Sequence, residues 1–205
     1  MLKIVIATKN AGKISEIQSI INNSDLKNMV ETETLLYYPG IPEIVEDGNT
    51  FSENAAKKAR TVAKFTGHIA VADDSGLEVD ALNGAPGVYS ARFAGEGATD
   101  ADNITKLMEL LKGTPPEKRG ARFVCAIAIA TPAGDVSLAE GECSGFIAEE
   151  ARGTSGFGYD PVFTVPQYEK TFAELGSDIK NRISHRAAAL GKLYHILEEV
   201  VRQKC

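Results

Sequence analysis

The sequence predicts an α/β fold built on a mixed sheet, and three features of its hydrophobic pattern carry that prediction. A short apolar run at residues 2–7 is followed at once by helical spacing of isoleucines at 11–21. Two extended runs, at 121–131 and 135–147, flank a proline- and glycine-containing turn, which is the pattern of a β-hairpin. Helical spacing returns from residue 184 to 202. Alternating strands and helices favour parallel pairing, whereas a hairpin adds antiparallel strands, so we expect a mixed sheet.

The remaining elements follow from the same patterns. Thr50-Phe-Ser-Glu53 has the spacing of a capping box and predicts a helix that runs to about Phe65. A short apolar strand at 69–72 is expected to stop at Asp73. The other predicted elements are a strand at 28–36, a helix at 102–111, and loops at 37–49, 84–87 and 153–161.

Composition limits the classes of function. The 205 residues carry a net charge of −6, which argues against a nucleic-acid partner but leaves room for a small nucleotide in a local basic pocket. Three cysteines, Cys125, Cys143 and Cys205, are too few and too far apart for a disulfide framework or a zinc site, so we expect a reducing cytoplasm. No apolar run is long enough for a membrane span, and no linker divides the chain, so we predict one domain over 1–205.

The first candidate site is the segment Thr8, Lys9, Asn10, Ala11, Gly12, Lys13, which lies between a predicted strand and a predicted helix. A helix N-terminus offers backbone N–H groups and a positive dipole to a phosphate, and Lys13 adds a cation. The segment is not a P-loop, because it lacks the first glycine and the final Ser or Thr of that motif. The alternative is a polar turn in which Asn10 only caps the helix.

Adjacent carboxylates in Asp73-Asp74-Ser75-Gly76 form the second candidate site. They repel one another unless a cation lies between them, and Mg²⁺ prefers one or two carboxylates together with phosphate oxygens. One carboxylate could also accept a proton from an attacking water. Glu46, in the preceding loop, is a further candidate metal ligand. The alternative is an ordinary turn, since Asp, Ser and Gly are common in turns.

Two more candidates lie in the second half of the chain. The glycines around Phe157, Gly158, Tyr159 and Asp160 would let a flat ligand approach the backbone and stack on a ring. Lys180 and the run Ser184-His185-Arg186 could contact a base edge at a helix start. A plain loop and a solvated basic helix start are the alternatives.

Taken in order along the chain, these motifs resemble the Ham1-like (RdgB/ITPA) family of inosine and xanthosine triphosphate pyrophosphatases. The resemblance runs from about residue 2 to 200 and rests on the following segments: Thr8-x-Asn10-x-x-Lys13, Thr50-Phe-x-Glu-Asn-Ala55, Ala72-Asp-Asp-Ser-Gly-Leu77, Gly84-Ala-Pro-Gly-x-Tyr-Ser-Ala-Arg92, Gly156-Phe-Gly-Tyr-Asp-Pro161 and Ser184-His-Arg186.

The resemblance implies an elongated mixed-sheet fold with flanking helices, a cleft between two lobes, and a homodimer. It implies Mg²⁺-dependent hydrolysis of dITP, ITP and XTP to the monophosphate and pyrophosphate, which clears deaminated purines from the nucleotide pool. By position it assigns the phosphates to Thr8–Lys13, and the proton acceptor and metal ligand to Asp74. It assigns metal support to Asp73 and Glu46. The remaining substrate contacts that it implies are Ser75, Phe157, Gly158, Tyr159, Asp160, Lys180, His185 and Arg186.

Two rival functions are weighed against this expectation. A nucleotide sensor without turnover could keep the glycine-rich loop and the basic residues but has no need of Asp73-Asp74. A pyrophosphatase acting on modified pyrimidines or on canonical triphosphates would not need the Ser184-His185-Arg186 set.

Overall fold

The computed structural model describes residues 1–202, and within that range it describes the side chains of 1–194, 197 and 198. Cys205, one of the three cysteines, lies outside the described residues. The strands are β1 (Leu2–Ile6), β2 (Val30–Thr34), β3 (Ile69–Val79), β4 (Gly120–Ala130), β5 (Val136–Ile147), β6 (Phe163–Val165) and β7 (Lys170–Thr171). The α-helices are α1 (Ala11–Asn22), α2 (Phe51–Thr66), α3 (Asp100–Leu110), α4 (Phe172–Leu175), α5 (Ser177–Ile183) and α6 (His185–Arg202).

The strands form one mixed sheet in the described part of the chain, in the order β2-β1-β3-β4-β5-β6-β7. β1 pairs in parallel with β2 and with β3, whereas β6 pairs antiparallel with β5 and with β7. The predicted α/β class with a mixed sheet is therefore confirmed. Among residues 1–202, no helix has the length and apolarity that a membrane span requires.

The chain forms two compact units. The first unit comprises Met1–Asp74, Cys125–Gly141 and the chain from Arg186 onward. Its core packs apolar side chains of β1, β3 and β4 against α1 and α6, among them Ile4, Ile17, Ile127 and Leu193. This core fixes the carboxyl ends of β1 and of the first half of β3, which carry two of the candidate motifs.

Ser75–Val124 and Glu142–His185 make up the second unit. Its core is aromatic: Phe123 lies 4.6 Å from Phe163 and 6.0 Å from Phe172, measured between ring centroids. Leu77 and Leu107 complete it from β3 and α3. The helix α3 is capped by Thr99, whose side chain forms a capping box with Asp102.

Most predicted elements are present, but one prediction about β3 is wrong. The strand does not stop at Asp73; it continues through Asp74-Ser75-Gly76 to Val79. Neighbouring strand residues point to opposite faces of the sheet, so the two carboxylates are separated and meet different cations there. The expected repulsion between the two carboxylates is therefore reduced by the cations of the protein itself. The predicted strand at 28–36 is shorter, because turns of 3₁₀-helix occupy Asp25–Asn28 and Leu35–Tyr37.

Candidate functional site

Asp74 is the carboxylate of the second candidate motif, and contacts from β3 and α2 hold it in the first unit. Its Oδ2 accepts a hydrogen bond from Nδ2 of Asn54 at 2.9 Å, and its Oδ1 lies 3.3 Å from Nζ of Lys58. Only 6% of the residue is exposed. Burial raises the pKa of Asp74, and the positive charges of Lys58 and Lys13 oppose that rise.

Lys58 links Asp74 to the loop before α2. Its Nζ donates to Oε1 of Glu46 at 2.7 Å, so one ammonium group lies between the carboxylates of Glu46 and Asp74. Burial lowers the pKa of Lys58, but the nearby carboxylates of Asp74, Asp73 and Glu46 outweigh burial and leave that pKa raised. The two carboxylates therefore converge on a single cationic position.

Asp73 is completely buried and is surrounded by cations. Its Oδ2 lies 3.1 Å from Nζ of Lys13 and accepts hydrogen bonds from Nη2 and Nε of Arg186 at 3.0 and 3.2 Å. The guanidinium of Arg186 also pairs with Glu16 through Nη1. Burial lowers the pKa of Arg186 to about 10. Asp73 thus holds the first candidate motif and the start of α6 together.

The segment from Thr8 to Lys13 lies at the N-terminus of α1, as predicted. Asn10 is the cap residue: its side chain accepts a hydrogen bond from the backbone N–H of Lys13 at 3.1 Å. Thr8 accepts in the same way from the N–H of Asn10 at 3.2 Å. Lys9, Asn10 and Ala11 are exposed. The segment therefore presents a helix N-terminus and a lysine to solvent, which is the geometry that suits an anion.

The second unit builds a separate cluster from Phe157, Asp160 and Lys180. Nζ of Lys180 donates to Oδ2 of Asp160 at 2.5 Å and lies 4.4 Å from the centre of the Phe157 ring. Asp160 also accepts from the backbone N–H of Phe157 at 3.0 Å. Burial raises the pKa of Asp160, and Lys180 opposes the rise. At Gly156 a Cβ would meet that Asp160 carboxylate at 2.1 Å, so the loop requires glycine there.

Further contacts fix the rest of this cluster. The backbone N–H of Gly158 donates to Asp100 at 2.7 Å, and the hydroxyl of Tyr159 donates to the carbonyl oxygen of Ser90 at 2.9 Å. The ring of His185 stacks on Phe123 with centroids 4.8 Å apart. Ser75 is half-buried in β3 and Ser184 ends α5. Phe157 and Gly158 remain half-buried, so the loop presents one ring beside a buried ion pair.

Sequence reasoning missed three residues that shape these clusters: Lys58, Asn54 and Glu16. A signal existed for two of them. Asn54 and Lys58 are four residues apart on α2, on a face that is otherwise lined by Ala55, Ala59 and Val62. Polar side chains on a buried face need partners, so this spacing points toward a nearby charge. Glu16 gave no such signal, because its partner Arg186 is 170 residues away in sequence.

Comparisons with known proteins find one family over most of the chain. The family model described as the Ham1 family matches residues 4–196. A dITP/XTP pyrophosphatase of Desulforamulus reducens is 53% identical over 199 residues, covering 97% of each chain. The solved structure of a HAM1 protein from Coxiella burnetii superposes with a TM-score of 0.85 at 44% identity, over 97% of this chain and 100% of that one. A Staphylococcus aureus Ham1 protein gives 0.83 at 42%, over 96% and 98%.

Proposed function

This chain belongs to the Ham1 family, and we propose that it hydrolyses dITP, ITP and XTP to the monophosphate and pyrophosphate. Relatives that are 53% and 51% identical in sequence carry the name dITP/XTP pyrophosphatase. Such an enzyme is a hydrolase of nucleotide metabolism that removes non-canonical purine nucleotides from the pool. Residues 1–205 then act as one pyrophosphatase domain.

The observation that carries the proposal is the convergence of Glu46 and Asp74 on one ammonium group, that of Lys58. A site that holds one cation between two carboxylates has the donor chemistry for a divalent ion. Mg²⁺ binds proteins through one or two carboxylates and takes its remaining oxygens from water and substrate phosphates. Among the residues whose side chains the structure describes, no three acidic, histidine or cysteine side chains form a group that could hold a metal ion. Two carboxylate ligands from the protein are enough for a Mg²⁺ site that also uses phosphate oxygens of the substrate.

Glu46 and Asp74 would hold the Mg²⁺, and Asp73 would support it by fixing Lys13. The bound ion would neutralise negative charge on the triphosphate. Asp74 accepts the proton of the attacking water, whose oxygen is directed at the α-phosphorus. Lys13 and the N–H groups at the start of α1 hold phosphate oxygens, and Thr8, Lys9, Asn10, Ala11 and Gly12 complete that segment.

The nucleoside is assigned to the remaining candidates. Phe157 stacks on the base, while Gly158, Tyr159, Asp160 and Lys180 shape the loop beside it. His185 and Arg186 donate hydrogen bonds to O6, the acceptor that hypoxanthine and xanthine share. Ser75 contacts the substrate next to Asp74.

Cellular context completes the proposal. Cys125 and Cys143 are free thiols, which fits the reducing cytoplasm where nucleotide pools are kept. A homodimer acting on free nucleotides, with no direct nucleic-acid partner, is the assembly that we propose. The net charge of −6 fits a small ligand better than a polyanion.

Removal of the metal is the first test. Pyrophosphate release from ITP should stop in EDTA and return when Mg²⁺ is added, because oxygen ligands without histidine or thiolate favour Mg²⁺ or Mn²⁺ over Zn²⁺. A thermal melt in EDTA controls for unfolding. Turnover that persists in EDTA, or that only Zn²⁺ restores, would refute the magnesium site.

A nucleotide sensor without turnover is the alternative from another class. It would bind ITP and release no pyrophosphate in the same assay. The adjacent carboxylates Asp73 and Asp74 argue against it, because a sensor without turnover has no need of a proton acceptor.

A further inference from the structure

We propose that Asn54 is a positioning residue that fixes the two carboxylates of the proposed cation site, Asp74 and Glu46, relative to one another. The inference rests on the function proposed above and concerns the same site. Asn54 sits in the first turn of α2 and is 2% exposed. Its side chain makes two hydrogen bonds, one to each side of the site.

The side-chain amide of Asn54 donates one of these hydrogen bonds and accepts the other. Nδ2 of Asn54 donates to Oδ2 of Asp74 at 2.9 Å, and Oδ1 accepts from the backbone N–H of Gly48 at 2.8 Å. Gly48 is two residues after Glu46, so the second bond anchors the loop that carries Glu46. A side-chain amide is both donor and acceptor, whereas a carboxylate accepts only and an ammonium donates only. Asn54 therefore couples Asp74 on β3 to the Glu46 loop through one rigid group.

The backbone at Gly48 packs closely against the side chain of Asn54. A Cβ at position 48 would lie 2.7 Å from Oδ1 of Asn54 and 2.9 Å from Cβ of Glu53, which is closer than real side chains approach. The backbone of Gly48 has no positive φ to explain the glycine. The glycine is required by the approach of the amide, so the loop and the amide fit each other as a pair.

The two carboxylate oxygens of Asp74 have different partners, which supports the same conclusion. Lys58, which also pairs with Glu46, contacts Oδ1 of Asp74, whereas Asn54 contacts Oδ2. Glu46 and Asp74 would hold the metal, and the neutral amide of Asn54 would keep the Asp74 carboxylate in a fixed orientation through its hydrogen bond to Oδ2. Partners of this kind, which hold a metal ligand without touching the metal, typically change metal affinity or activity by about 10–100-fold when they are removed.

The chain offers a matched control in Asn103. It is also a buried helical asparagine, 3% exposed, and its Oδ1 accepts a loop N–H, that of Ala94, at 2.7 Å. Its Nδ2 donates to a backbone carbonyl, that of Ala91, at 3.2 Å, and not to a carboxylate. Asn54→Ala and Asn103→Ala therefore delete the same atoms, and each removes one donated and one accepted hydrogen bond, but only the first removes a bond to a carboxylate of the proposed site.

The experiment compares wild type, Asn54→Ala, Asn103→Ala and Asp74→Asn in three measurements: kcat and KM for ITP at saturating Mg²⁺, Mn²⁺ binding to the nucleotide-free protein by electron paramagnetic resonance, and the thermal midpoint. For Asn54→Ala we expect kcat to fall about 10–100-fold with KM nearly unchanged, and Mn²⁺ affinity to fall by a similar factor. Asn103→Ala should lower the thermal midpoint to a similar degree and leave kcat and Mn²⁺ affinity at the wild-type values. If Asn54→Ala does not fold, Asn54→Asp keeps the volume and the acceptor for Gly48 and should show the same loss of kcat.

Two results would overturn the inference, and they are distinguishable. If Asp74→Asn is inactive while Asn54→Ala behaves as Asn103→Ala does, Asn54 is only a structural residue and the proposed function stands. If Asp74→Asn itself retains turnover and Mn²⁺ affinity, the cation site is wrong and the inference fails with it.

Discussion

Asp74→Asn should lower kcat for ITP hydrolysis by about 10²–10⁴-fold, the usual contribution of a general base. The carboxylate is the proposed proton acceptor, and the amide of asparagine cannot take that proton. It also removes a negative ligand from the proposed metal site. Steady-state pyrophosphate release at saturating Mg²⁺ measures the effect.

The control must separate lost chemistry from lost folding, because Asp74 pairs with the buried Lys58. Asp47→Asn removes one negative charge from the same loop as Glu46, at an exposed ion pair with Lys57. It should leave kcat at the wild-type value. Near-normal turnover in a folded Asp74→Asn protein would remove this residue from the mechanism.

The ratio of kcat/KM for ITP to that for ATP should be about 10⁴ or more. Hypoxanthine and xanthine carry an acceptor at O6, whereas adenine carries an amino donor there. His185 and Arg186 would donate to O6, and Arg has no acceptor to offer an amino group. A site whose buried donors are left unpaired by the wrong base discriminates at this level. GTP shares O6 and should also be poor, through its 2-amino group.

The ion pairs of Arg186 make a substitution at this residue a poor test of base selectivity. Arg186 is buried and paired with Asp73 and Glu16. Its removal would take one cation away from the buried carboxylates of Glu16 and Asp73, with Lys13 remaining beside Asp73, a loss of about 3–5 kcal/mol in stability. Arg186→Ala would therefore lose activity for reasons unrelated to the base. The substrate ratio of the wild-type protein, at matched Mg²⁺, is the sharper measurement, and a ratio near one would contradict the reading of O6.

Local sequence patterns predicted much of the fold. The isoleucine spacing predicted α1, the hairpin pattern predicted β4 and β5, and Thr50 proved to cap α2 through the N–H of Glu53. These predictions depend on contacts between residues that are near in sequence. The short elements from β6 to α5 were missed, since two to seven residues are too few to show a period.

The contacts at the site depend on residues far apart in sequence. Lys13 meets Asp73, and Arg186 meets Asp73 across 113 residues. The packing of α1 and α6 against the sheet brings these side chains together. Sequence reasoning could name the carboxylates as candidates, but it could not say that Lys58 lies between Glu46 and Asp74. It also expected the strand to end at Asp73, whereas β3 continues through both residues and directs their side chains to opposite faces.

The central claim, attack on the α-phosphorus of a deaminated purine triphosphate, is tested most directly by hydrolysing ITP with Mg²⁺ in ¹⁸O-labelled water. Mass spectrometry of the products then shows which phosphorus received the water oxygen. We expect inosine monophosphate carrying one ¹⁸O, together with unlabelled pyrophosphate in equal amount. Release of orthophosphate with inosine diphosphate, or ¹⁸O in the pyrophosphate with none in the monophosphate, would contradict the account.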